Sequence, residues 1–156
     1  MALIELTKGA FAIVDDEDAD LLSRFSWQLN CQGYASANVG VGRAHVTHER
    51  MHRMIMRPPE GMDVDHINGN RLDNRKCNLR LATRSQNLQN SRKRTGCSSR
   101  FKGVNWLGQN KRWRARIKVF GKEIALGCFI SELEAAEAYN KAAKEHFGDF
   151  AKLNEI

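Results

Sequence analysis

No long apolar run interrupts the 156 residues, and none approaches the length of a transmembrane helix. The opening Met1-Ala2-Leu3-Ile4-Glu5 also lacks the basic segment and small-residue cleavage site of a secretory signal. A cytoplasmic protein without a membrane partner is therefore expected. Cysteine is sparse: Cys31, Cys77, Cys97 and Cys128 lie far apart with no C-x-x-C pair, which argues against a structural zinc site and a disulfide framework. Acidic residues all but vanish from the middle of the chain, where residues 61–118 hold fifteen Lys and Arg against only Asp63, Asp65 and Asp73. Residues 1–60 are balanced by comparison, with six basic groups and eight acidic ones. A solvated face usually mixes signs, whereas this excess is single-signed and interleaved with Trp106 and Trp113, so a nucleic-acid partner is expected.

What is present is organised as short elements. Leu3–Leu6 and Ala10–Val14 read as strands around a Lys8-Gly9 turn, and the acidic Asp15–Asp20 opens a helix whose apolar face is Leu21, Leu22 and Phe25. Trp27–Leu29 and Tyr34–Val41 predict strands separated by Gln32-Gly33. Glu49–Met56 predicts a helix stopped by Arg57-Pro58-Pro59. Among the histidines of this region, His45 and His48 read as structural or exposed, and His52 is kept as an outside ligand candidate.

Beyond the prolines, strand, loop, strand and helix are expected in turn: Val64-Asp65-His66, an Asn-rich turn from Asn68 to Asn74, Leu79 and Leu81 alternating on a strand, then a polar helix over Arg84–Arg92 capped by Thr83. Residues 93–100 read as a flexible basic linker. Phe101–Trp106, Arg112–Val119 and Lys122–Gly127 predict three strands. In the middle one, Trp113, Ala115, Ile117 and Val119 face one side, and Arg114, Arg116 and Lys118 face the other. A helix from Ser131, with Ser131 and Glu134 as a capping box, covers the apolar side through Ala135, Ala136, Tyr139, Ala142, Ala143 and Phe147, and ends at Gly148.

Cutting a phosphodiester requires a water, a group to take its proton, and a positive centre for the developing charge. Neutral imidazole is a competent base near neutral pH, which nominates His66. A carboxylate suits a hard, magnesium-like ion, which nominates Asp65. One carboxylate holds such an ion weakly, and the carboxamide of Asn87 is the candidate second oxygen. Adjacent strand residues project to opposite faces, so Asp65 and His66 cooperate only through a bent loop or from two sides of the phosphate. On the bland alternative, the Asx residues of the loop only satisfy backbone groups in a long turn.

Asp65-His66, the Asn68-Gly69-Asn70 loop, Asn78-Leu79-Arg80 and Asn87 together resemble His-Asn-His (HNH) homing endonucleases. The resemblance implies a ββα-metal hairpin with His66 as general base, Asp65 and Asn87 on one divalent ion, magnesium or else manganese, and Asn78 as loop support. It further implies a phage or bacterial cytoplasm. Phe101 to Asn154 resembles the plant APETALA or ethylene-response-factor DNA-binding domain, through Phe101-Lys102-Gly103-Val104, Trp113-Arg114-Ala115-Arg116-Ile117, Leu126-Gly127-Cys128-Phe129, Glu134–Tyr139 and Ala151-Lys152-Leu153-Asn154. That likeness implies a sheet laid on double-stranded DNA with Lys102, Arg114, Arg116 and Lys118 facing it, while Asn105, Leu107 and Ala125 depart from the plant pattern.

The expected fold is α+β: a β-rich scaffold over 1–60, the nuclease core over 61–92, the linker over 93–100, and a three-stranded antiparallel sheet packed on one helix over 101–156. Arg80 and Arg84 join the expected DNA contacts, and of the oligomeric states the monomer is preferred. The rival functions are a non-catalytic DNA-binding regulator with a degenerate hairpin and, further off, an RNA-binding protein, for which no aromatic stacking motif is present.

Overall fold

The computed structural model describes residues 1–40, 47–91, 93 and 96–156. It is a mixed α/β structure whose contacts divide into two units, Met1–Arg84 and Ser85–Ile156. Among the described residues no helix is long and apolar enough to cross a membrane.

The first unit opens with β1 (Ala2–Glu5) and β2 (Phe11–Val14), an antiparallel hairpin with Ala2 opposite Val14. Its turn is made possible by left-handed backbone at Lys8 and Gly9, both at φ 67°. Helix α1 (Asp16–Leu22) carries Asp16, Glu17 and Asp18 in its first turn, where the exposed N–H groups favour negative charge. A second sheet, ordered β3-β4-β5, follows from β3 (Gln28–Leu29), β4 (Ala35–Val39) and β5 (Thr47–Arg50).

The strand β5 departs from the expected helix over Glu49–Met56. Thr47 to Arg50 pair with Val39 to Ser36, and helix α2 (Met51–Met56) starts only where that pairing ends. The cause is nonlocal: a cross-strand partner overrides the helical pattern. Arg57, at φ 44°, closes α2 in the left-handed conformation before the prolines. His45 and Val41 lie outside the described residues.

Leu6, Ala12, Val14, Leu22, Trp27, Ala35, Ala37 and Met51 form the core of this unit, and large side chains buried in this way contribute about 1.5–3 kcal/mol each. The Trp27 indole is satisfied by donating to Leu22 O at 2.8 Å.

The antiparallel pair β6 (Asp63–His66) and β7 (Leu79–Ala82) sets Asp65 opposite Arg80 and His66 opposite Leu79, and α3 (Arg84–Gln89) comes next in the chain. Leu79 is buried while Leu81 remains 39% exposed, so the expected half-buried alternation holds for only one of the two. The β6–β7 loop is sewn to the first hairpin: Ile13 N donates to Leu72 O and Asn74 N to Ile13 O, both at 2.8 Å. Lys76 N donates to Asp15 Oδ2, also at 2.8 Å. The N-terminal elements thereby hold the loop that follows His66.

In the second unit, β8 (Val104–Leu107), β9 (Arg112–Val119) and β10 (Lys122–Phe129) form an antiparallel sheet ordered β10-β9-β8, and α4 (Glu132–Phe147) packs on it. Both halves of the Ser131–Glu134 capping box are made, and every residue of the expected helix stripe is buried. Gly103 cannot carry a side chain. Its φ is +76°, and a Cβ there would fall 2.0 Å from a Tyr139 ring carbon.

The segment expected as a flexible linker is anchored within this unit in its described residues. Lys93 donates to Phe101 O at 2.6 Å and to Val104 O at 3.0 Å. Ser98 accepts from Trp106 N at 3.0 Å, and the buried Ser99 accepts from Phe101 N at 2.9 Å. Short hydroxyls and one lysine replace an apolar anchor here, which is why composition alone reads as loose chain.

Candidate active site

The site grows from the C-terminal end of β6. Alternation on the strand sends the neighbouring side chains of Asp65 and His66 to different surroundings, and both are buried, each 5% exposed. Asp65 meets the facing strand: Arg80 Nε and Nη2 donate to its Oδ2 at 2.9 and 2.8 Å. His66 meets the loop and the N-terminal elements. Its Nε2 lies 3.0 Å from Asn74 Oδ1.

Asn74 has no exposed surface, and its amide nitrogen points to Leu72 O and Met51 Sδ, both at 3.4 Å. A carbonyl oxygen only accepts, so the ring donates Nε2–H and the neutral imidazole carries its lone pair on Nδ1. Burial pushes the His66 pKa below its ordinary value, opposed by the Asn74 bond and the nearby Asp65 carboxylate. The base form therefore predominates at neutral pH.

Two further rings hem His66 in. His52 stands edge-on with its centroid 4.9 Å away, and Tyr34 lies 6.0 Å away. His52 is buried, its Nδ1 has no hydrogen-bond partner among the described residues, and burial, then repulsion from His66, Arg50 and Arg53, brings its pKa down to about 3. It is a neutral wedge at neutral pH. As an outside ligand candidate it stands against aromatic rings rather than among carboxylates.

The loop is braced by Asn78, itself buried, which accepts from Asn68 N at 3.0 Å and donates to Asp73 O at 2.8 Å. One carboxamide thus ties the two ends of the turn. Asp73 adds a second brace by accepting from Asn68 Nδ2 at 3.0 Å and twice from Arg75 at 2.7 Å. The Arg75 bonds hold the Asp73 carboxyl below its usual range despite the opposing cost of burial.

The other expected site residues are distributed as follows. Arg80 is ion-paired to Asp65, and the exposed Arg84 lies 3.6 Å from Asp63. Asn87 is on α3, in the second unit. On β9, Arg116 is exposed and bonded to Glu123 at 2.7 Å, Lys118 is exposed, and the half-buried Arg114 reaches Asn105 Oδ1 at 3.5 Å. Lys102 differs from its expected place. It precedes β8, and its half-buried ammonium donates to Gln89 O and, at 2.7 Å, to Ser91 O. Burial, with Lys152 nearby, lowers its pKa to about 8. Backbone carbonyls at the end of α3 claim this charge.

Among the described residues no group of three or more His, Cys, Asp or Glu side chains is placed to hold a metal ion. The Asp65 carboxylate is of the hard-oxygen kind that a magnesium-like ion takes, and its Oδ2 is engaged by Arg80.

Comparison with known proteins decides the family. The chain is 34% identical over 151 residues to an uncharacterised HNH endonuclease of Acanthamoeba polyphaga mimivirus, covering 96% of this chain and 77% of that one. The chain belongs to the HNH endonuclease family. Residues 57–89 of this HNH endonuclease match the family described under that name, a span that holds Asp65, His66, Asn74, Asn78 and Asn87. Protein 3.8 of Escherichia phage T7 is 35% identical over 97 residues, covering 61% of this chain and 78% of the phage protein. No solved structure matches.

Sequence reasoning missed Asn74 as the partner of His66, having read it as a turn former. Nothing local marks it, because its role depends on the contact of its loop with β2. Tyr34 likewise shows in the sequence only as the start of a strand.

Proposed function

We propose that this HNH endonuclease hydrolyses phosphodiester bonds of double-stranded DNA with His66 as general base. The observation that carries this reading is the His66–Asn74 bond, which fixes the tautomer and places the lone pair of a neutral ring on Nδ1. As water attacks phosphorus, that nitrogen takes its proton and the bond to the leaving sugar oxygen breaks. In the ββα-metal reading β6 and β7 offer Asp65 to one divalent ion, magnesium or manganese, and the sequence motif assigns Asn87 as its second protein ligand. An ion held at Asp65, when bound, supplies Lewis-acid stabilisation of charge on the phosphate and leaving oxygens. Asn78 acts by keeping the loop, and so His66, in place.

The β8–β9–β10 sheet with α4 is the DNA-gripping part, in the manner of the APETALA or ethylene-response-factor domain. Arg114, Arg116 and Lys118 meet phosphates and position the duplex. Arg84 is a further DNA contact, whereas Arg80 and Lys102 serve the protein, one balancing Asp65 and the other capping α3.

A second reading is favoured by the Asp65–Arg80 ion pair, which neutralises the carboxylate an ion needs: a DNA-binding regulator that does not cut. Titrating magnesium and manganese into the protein with plasmid DNA separates the two. Cutting that requires the ion and is lost in Asp65→Asn supports the nuclease, and DNA binding without cutting under every metal supports the regulator.

A further inference from the structure

Beside His66 the first unit holds two arginines that the reading above leaves unused. Arg50, the last residue of β5, and Arg71, in the β6–β7 loop, both lie against the ring of Tyr34, with guanidinium carbons 5.0 and 4.7 Å from its centroid. Both also converge on Gln32 in the β3–β4 turn: Arg50 donates to its side-chain oxygen at 2.9 Å and Arg71 to its carbonyl. Gly33, at φ +81°, turns the chain between β3 and β4 beside the Arg71 stem.

Other arginines of this unit, Arg75, Arg80 and Arg84, pair with Asp73, Asp65 and Asp63. Arg50 and Arg71 have no carboxylate partner among the described residues, and the bonds just named use one N–H of each fork. Arg71 is exposed and Arg50 half-exposed. Two cations sharing one tyrosine repel each other, and an anion seated against both relieves that repulsion; the Tyr34 and His66 ring centroids lie 6.0 Å apart. Stacking fixes the planar forks in advance, and such forks match phosphate oxygens.

We propose that Arg50 and Arg71, held by Tyr34 and Gln32, form a clamp for backbone phosphates of the DNA strand that is cut. The inference rests on His66 as the hydrolytic centre. Along one strand phosphates succeed one another about every 3.4 Å of helix axis, so cations one aromatic ring away from the base face the neighbours of the scissile phosphate. The clamp recognises backbone and not sequence.

The test uses full-length protein carrying His66→Ala, without metal, so that binding is read apart from cleavage. Duplex affinity is measured by gel shift over a range of salt for this parent and after adding Arg50→Gln, Arg71→Gln, or Arg50→Lys with Arg71→Lys. Each glutamine variant should lower the slope of log affinity against log salt by about 0.9, one phosphate's share, on any sequence, while the double lysine variant keeps the parent slope. Unchanged slopes in both glutamine variants overturn the clamp, as does a parent that does not bind duplex DNA. If wild type binds with the expected slopes yet never cuts, the nuclease reading fails and the phosphate clamp stands.

Discussion

His66 Nε2 rests 3.0 Å from the Oδ1 of Asn74, a side chain sealed from solvent and held by the contact of its loop with β2. The His66 ring is therefore aimed by a residue eight positions further along the chain, which is itself held by the N-terminal hairpin.

Asn74→Ala should remove that aim. Cleavage is expected to fall about 10- to 100-fold, as when a partner that orients a functional histidine is lost. The buried ring N–H left without an acceptor costs about 1–3 kcal/mol in urea unfolding. Single-turnover rates and denaturation curves measure the two losses separately.

Because burial lowers the His66 pKa, the acid limb of the cleavage profile should lie below the ordinary histidine value of 6.5. Asn74→Asp sets a carboxylate against the ring, favours imidazolium, and should move that limb to higher pH. A pH–rate series on both proteins checks the direction.

His52 governs stability rather than chemistry. Its pKa is about 3 in the fold against 6.5 when unprotected, so the unfolded chain binds its proton first. Stability is fully present above pH 6.5 and is lost as pH falls from there toward 3, at up to about 1.4 kcal/mol per pH unit. His52→Phe should flatten the dependence of Tm on pH across that window.

Arg80→Ala leaves Asp65 as a buried carboxylate without the guanidinium, and a loss of about 3 kcal/mol is expected in equilibrium unfolding. Gly103→Ala forces a Cβ into Tyr139 at a backbone angle that favours glycine. A cost of about 3 kcal/mol should appear in the melting of the second unit.

Much of this was legible in the sequence because it is local. The alternation of Trp113, Ala115, Ile117 and Val119 against Arg114, Arg116 and Lys118 identified β9, and Ser131 with Glu134 located the start of α4. Asp65 and His66 stand out in the sequence by chemistry and by spacing to Asn78 and Asn87, and both lie buried on β6. What stayed hidden depends on contacts between distant segments. Thr47–Arg50 became a strand through β4, Lys102 turned to the carbonyls of Gln89 and Ser91, and Asn74, Tyr34 and His52 gathered around His66 from three separate stretches of chain.

The most direct test of the central claim is the conversion of supercoiled plasmid by wild type and His66→Ala, each with magnesium, with manganese and with chelator. Metal-dependent nicking or linearisation by wild type alone, with DNA binding kept in His66→Ala, is the predicted result. Cleavage that persists in His66→Ala would contradict the assignment of the base, and a wild type that binds DNA but never cuts it would contradict the nuclease.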